Sequence, residues 1–285
     1  MWYVKSFTGS FCLFISMTTL LYNISFLYND GGFYLLPVLS LICLLNITLH
    51  SPGCVSTRAI CVKEPTEKQS ILLEKYAPEK HGHILQPPHA HYSYVVNAVV
   101  LDYDHFCLWS NNAIGLLNIR YFIQFLFWTS ITCVYTFIYI LNYVYHCSNG
   151  NYVSCAWLRW HDAESTMNIL FSFLFGIFTT IMLTGQIYNL KEGLNSVDKA
   201  KGVDDGRYGS FYRFFGSYTP IGWYFPTPNS SVLYEHGRKS VSKCATILED
   251  NDIKIIYKKI LYYINANIHS FYFDSFYIWT FTHIC

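Results

Sequence analysis

Asp104, His105 and Cys107 fall within one four-residue run. A cysteine attacks carbonyl carbon as its thiolate, and a neighbouring base can generate that thiolate. Histidine is such a base near neutral pH, and a carboxylate on its far nitrogen fixes the tautomer. The run therefore reads as orienter, base and nucleophile. The same spacing also fits a surface carboxylate, a hydrogen-bonded histidine and a half-buried thiol. Three residues alone do not separate these readings.

The elements that position this run belong to a membrane protein. The chain has 285 residues, of which 13% are charged and 52% hydrophobic. Soluble domains carry roughly 25% charged residues. A formal net charge of +1 excludes a generally basic nucleic-acid binder and a charged disordered chain. Ten cysteines, widely scattered, do not make a small disulfide scaffold.

A helical span needs about 20 apolar residues. Segments 7–28, 33–49, 121–145 and 167–190 contain no Asp, Glu, Lys or Arg. Pro37 predicts a tilt or kink in the second. The first is read as a retained span, with a cleaved signal as the alternative. Of the 19 Lys and Arg, all but Arg159 lie on one side of such a four-span arrangement. The positive-inside rule then puts both termini and loop 51–120 in the cytosol. Cys147 and Cys155 fall in the lumenal loop, where a disulfide and two free thiols are both open readings. The Ile/Tyr/Phe/Asn-rich stretch 253–285 carries Lys258, Lys259 and Asp274. It is expected to be a tail and not a fifth span. The spans contain no Asp, Glu, Lys, Arg or His, which counts against a transporter.

Around Cys107 the sequence resembles the DHHC family of protein S-acyltransferases (palmitoyltransferases). The family pattern is close to D-H-H-C-P-W-x-N-N-C-x-G-x-x-N-x-x-[YF]-F. Asp104, His105, Cys107, Trp109, Asn111, Asn112, Gly115, Asn118, Tyr121 and Phe122 fall in register with it. Ser51-Pro-Gly53 resembles the family's D-P-G turn, and Asn195-Ser-Val-Asp198 its T-T-x-E motif. Tyr212–Gly216 followed by Gly222–Pro226 is similar to its tail segment.

The resemblance implies an all-α membrane protein. It would have four transmembrane helices and a cytosolic active loop, with short β-hairpin-like segments, between helices 2 and 3. The expected organisation is 1–50 for the first two helices and 51–120 for the active loop. Residues 121–190 would form helices 3 and 4, and 191–285 a cytosolic tail. The implied function is palmitoyl transfer from acyl-CoA, through an acyl-Cys107 intermediate, to cysteines of membrane-associated proteins. His105 and Asp104 would assist. Golgi or endoplasmic reticulum membrane is the expected location. Trp109 would line the chain entrance, or serve only as an interfacial aromatic. Arg120 would meet the anionic CoA head, or serve only as a positive-inside anchor. Asn111, Asn112 and Asn118 are expected to hydrogen-bond the loop backbone. Asn195 and Ser196 would support the loop from the tail.

The family's loop binds two zinc ions through six cysteines and two histidines. Counting from the central motif puts those positions near Glu79 and Gly82, then on Tyr92, Ser93, Val96, Val99, Phe106 and Ala113. None suits zinc, which wants thiolate or imidazole. The expectation is a loop without zinc, held by apolar packing of the Tyr- and Val-rich run 92–101. The alternative is a decayed, non-enzymatic family member that binds partners. A replacement metal site on His81, His83, His89 and His91 is a third reading, against solvent-exposed loop histidines.

Overall fold

A computed structural model describes residues 7–29, 33–55, 89–96, 98–148, 158–192, 195–200, 215 and 220–226. Glu79, Gly82, His81, His83, Cys155 and the 253–285 stretch lie outside the described residues, as does the Cys147 side chain.

Four long apolar runs become four helices: α1 (Phe7–Asn29), α2 (Leu35–Leu49), α3 (Ile119–Ser148) and α4 (Leu158–Glu192). Two of them contain stretches long and apolar enough to cross a bilayer, Ile119–His146 in α3 and Ile169–Glu192 in α4. Thr8–Ile24 and Leu35–Leu49 are shorter apolar helices. Pro37 does not kink α2. It occupies the first turn, where its missing N–H has no intrahelical partner to lose.

Helix α3 packs against both α2 and α4. Polar side chains tie these helices together. The Ser40 and Thr132 hydroxyls are 3.3 Å apart between α2 and α3. Ser130 Oγ donates to Thr179 Oγ1 at 3.0 Å between α3 and α4. Such bonds suit helices packed in an apolar setting.

The segment between α2 and α3 is built from short antiparallel strands. Strands β1 (Cys54–Val55), β2 (His91–Ser93) and β3 (Ala98–Val100) form one sheet in the order β1-β3-β2. Strands β4 (His105–Cys107) and β5 (Asn112–Ile114) form a separate hairpin. The Tyr- and Val-rich run thus becomes the β2–β3 hairpin, as β-branched and aromatic residues favour.

The turn after α2 straps these strands to the bundle. Gly53 has φ +96°, a left-handed conformation that costs glycine little. Gly53 O accepts from Leu101 N at 3.1 Å, and Leu116 N donates to Leu101 O at 2.9 Å. Gly115 sits in the resulting crossing. A Cβ there would lie 2.6 Å from Pro52 O and 2.8 Å from Leu101 O.

Beyond α4, helices α5 (Ser196–Ala200) and α6 (Pro220–Tyr224) return to the bundle. Gln124 Nε2 lies 2.8–3.2 Å from the carbonyls of Gly222, Trp223 and Phe225. Trp128 Nε1 donates to Tyr224 O at 2.6 Å.

Candidate active site

The β4–β5 hairpin carries the sequence-selected run. Asp104 precedes β4, His105 begins it and Cys107 ends it. In a strand, residues two apart share a face, so His105 and Cys107 are presented together. Cross-strand register puts Cys107 opposite Asn112 and His105 opposite Ile114. The turn closes with Asn111 at φ +49°, which an asparagine tolerates.

Two of the three asparagines anchor this hairpin. Asn112 Nδ2 donates to Ile47 O at 2.8 Å and His50 O at 2.9 Å, the open carbonyl end of α2. Asn118 Nδ2 donates to Ala113 O at 2.8 Å while its Oδ1 accepts from Gly115 N at 2.9 Å. The buried Asn111 Oδ1 has no hydrogen-bond partner among the described residues.

His105 Nδ1 is 2.8 Å from Asp104 Oδ2. Asp104 is held by two further donors. Gln186 Nε2, on α4, donates to Oδ2 at 2.8 Å. Ser196 N donates to Oδ1 at 2.6 Å. Ser196 therefore meets the loop as the sequence predicted. The Gln186 contact was not predicted. Its only signal was an amide within the charge-free stretch 167–190.

These contacts set the charge states. Burial disfavours the Asp104 carboxylate, but its bonds to His105 and Ser196 outweigh this and hold its pKa below the ordinary 3.8. Burial also opposes a charged His105, yet Asp104 and Cys107 together push it from 6.5 up to about 9. Burial alone would raise the Cys107 thiol. Its hydrogen bond to His105 and the His105 charge bring it below the ordinary 9.0. Each of the two groups thus favours the charged form of the other. A dry thiolate with a proton donor beside it can exchange thioesters.

Cys107 opens onto a cleft of about 200 Å³. His105, Trp109, Phe122, Phe175 and Phe178 are among its walls. The Trp109 ring stands edge-on to Phe175 at 5.3 Å, and Phe122 lies 5.0 Å from the His105 ring. Trp109 is thus brought to the thiol. Arg120 is not. It is 1% exposed, with its guanidinium carbon 5.1 Å from the Tyr121 ring centre. Helix α3 begins one residue earlier and turns Arg120 inward beside Cys43 and His50. Its guanidinium is buried away from the Cys107 cleft.

The described zinc positions of the resemblance carry neither thiolate nor imidazole. Phe106 faces Ala113 across β4–β5, and Tyr92 faces Val99 across β2–β3. Among the described residues no group of three or more His, Cys, Asp or Glu could hold an ion. His89, with φ +62°, and His91 lie in the β2 region. The other two histidines of the third reading are outside the described residues.

Comparison with known proteins places this geometry. Residues 74–203 match the family model described as DHHC palmitoyltransferase. Palmitoyltransferase ZDHHC3-A of Danio rerio is 25% identical over 123 residues, 42% of this chain and 39% of that protein. Palmitoyltransferase ZDHHC15 of Homo sapiens is 36% identical over 61 residues, 21% of this chain and 18% of that protein. Palmitoyltransferase ZDHHC3 of Homo sapiens is 23% identical over 228 residues, 70% and 73% respectively. The chain thus spans 39% and 18% of the first two relatives. Residues 74–203 are thus similar to a DHHC palmitoyltransferase domain, in agreement with the resemblance read from the sequence. That family is one of membrane proteins.

Proposed function

We propose that this protein is a palmitoyl-CoA-dependent protein S-acyltransferase. The observation that carries the reading is the Asp104–His105–Cys107 relay, opening onto an aromatic cleft at the end of an apolar helix bundle. The Cys107 thiolate attacks the thioester carbonyl of a long-chain acyl-CoA. The bond from that carbon to the CoA sulfur breaks, and His105 returns its proton to the departing CoA thiolate. Acyl-Cys107 remains. A cysteine of a membrane-associated protein then gives its proton to His105 and attacks the acyl carbon, the bond to Cys107 Sγ breaks, and the chain passes on with the Cys107 thiolate and protonated His105 regenerated. Asp104 holds His105 in the required tautomer throughout. Trp109 and the phenylalanines of α4 receive the chain. The reading includes four spans, a cytosolic loop and termini, and a Golgi or endoplasmic reticulum membrane. It also includes a loop that folds without zinc.

A second reading is favoured by the lost zinc positions: a non-enzymatic family member that binds partners. One experiment separates them. The purified protein is incubated with labelled palmitoyl-CoA beside Cys107→Ser. Hydroxylamine-sensitive label on the wild type alone supports the enzyme. A folded wild type that takes no label leaves the partner-binding reading.

A further inference from the structure

Behind Trp109, Phe125 and Phe175, which also wall the Cys107 cleft, lies a second cavity of about 20 Å³. Its lining includes Asn23 of α1 and Thr129 of α3, which are 5% and 2% exposed. Asn23 Nδ2 donates to Thr19 O at 2.9 Å, which fixes the amide orientation. Asn23 Oδ1 and Thr129 Oγ1 are both buried without a hydrogen-bond partner. Leaving such atoms unmet is costly in an apolar bundle. One can only accept, and the other can donate. A hydroxyl group satisfies both, because it donates and accepts at once. The space suits one small polar group, since roughly 10–15 Å³ of this kind of volume holds a water.

We infer that Asn23 and Thr129 form a hydroxyl-binding site inside the helix bundle. The hydroxyl comes either from one ordered water or from a hydroxylated acyl chain that enters past Trp109. The second source rests on the acyl-transfer reading above. A charged group is disfavoured, because much of the lining is apolar and Ser16 and Thr132 already donate within their own helices.

The test uses the full-length protein and a series of hydroxyhexadecanoyl-CoA esters with the hydroxyl at successive carbons. Acyl loading is measured against plain palmitoyl-CoA, together with a high-resolution experimental map. If the chain is the source, one isomer half-saturates loading at roughly tenfold lower concentration than palmitoyl-CoA. That advantage disappears in Asn23→Leu and in the near-isosteric Thr129→Val, whose melting curves report folding. If water is the source, no isomer gains, and the map shows one water within hydrogen-bond distance of Asn23 Oδ1 and Thr129 Oγ1. No isomer preference and no water overturns the site. Failure of palmitoyl-CoA itself to load the wild type removes the acyl-transfer reading, and the map alone then decides the hydroxyl site.

Discussion

Phe106 stands directly opposite Ala113 on the β4–β5 hairpin. By the family pattern both would be zinc ligands, and here they are cross-strand neighbours. Large beside small is a packing arrangement, and cross-strand contacts of this kind stabilise a hairpin by a few tenths of a kcal/mol to ~1 kcal/mol. Ala113 is fully buried. At these two positions side-chain fit stands where the family pattern has metal ligands.

Chelation is therefore expected to leave the protein intact. Metal analysis should find no stoichiometric zinc, and excess EDTA should leave both the melting temperature and acyl loading unchanged. A zinc-dependent loop would lose folding free energy with its ion. Release of one or more zinc ions per chain, with loss of fold, would assign ligands among the other side chains.

Gln186 reaches Asp104 from α4, 82 positions away in sequence. Replacing it with methionine keeps the length and removes the donor. The Asp104 carboxylate is then less stabilised, so its proton affinity rises. Loading at neutral pH should fall roughly ten- to hundredfold, the worth of one hydrogen bond to a charged group. The acid limb of the pH profile should move upward while the melting curve stays in place. A profile identical to wild type would leave Gln186 a packing residue.

The thiol and imidazole titrate as a pair. Alkylation of Cys107 by iodoacetamide should stay fast at pH 7 and slow as pH drops through the depressed thiol value. Loading should also decline above about 9, where His105 loses the proton it returns to CoA. In His105→Ala the alkylation limb should move up toward the ordinary thiol value of 9.0, with at least a roughly tenfold slower rate at pH 7. An unchanged rate in that variant removes His105 from the relay. The Asp104–His105 contact also links stability to pH. Asp104, with its pKa depressed, contributes fully above 3.8, and the contribution is lost as pH falls through its lower folded value. His105, with its pKa raised, contributes fully below 6.5, and this is lost as pH rises through about 9.

Gly115→Ala is expected to destabilise the loop by roughly 1–3 kcal/mol. Its new methyl would meet Val100 Cγ1 at 2.5 Å and two backbone oxygens that have little room to retreat. Thermal melting reads the loss directly. A wild-type melting temperature in this variant would show that the strap around Pro52 and Leu101 yields easily.

Much of the site could be read from the chain because its chemistry is local. Asp104, His105 and Cys107 are near neighbours in sequence, and strand geometry alone brings the last two to one face. The four apolar runs also declared their helices by composition. The remainder depended on long-range placement. Nothing near Gln186 says which loop its amide will meet. Arg120 read as an interfacial charge because it borders an apolar run. The rotation of α3 decides its direction, and that rotation follows from packing against α2 and α4. Asn112 was read as a loop anchor, but its partners proved to be helix carbonyls more than 60 positions upstream.

That last contact has a mechanical meaning. Asn112 lies across from Cys107 in the hairpin, and the same residue grips the final turn of α2. Cys107 is thus clamped to the end of an apolar rod. A movement that tips α2 would reach the sulfur through this amide as well as through the turn at Pro52 and Gly53, so the position of the thiol follows that of the helix end.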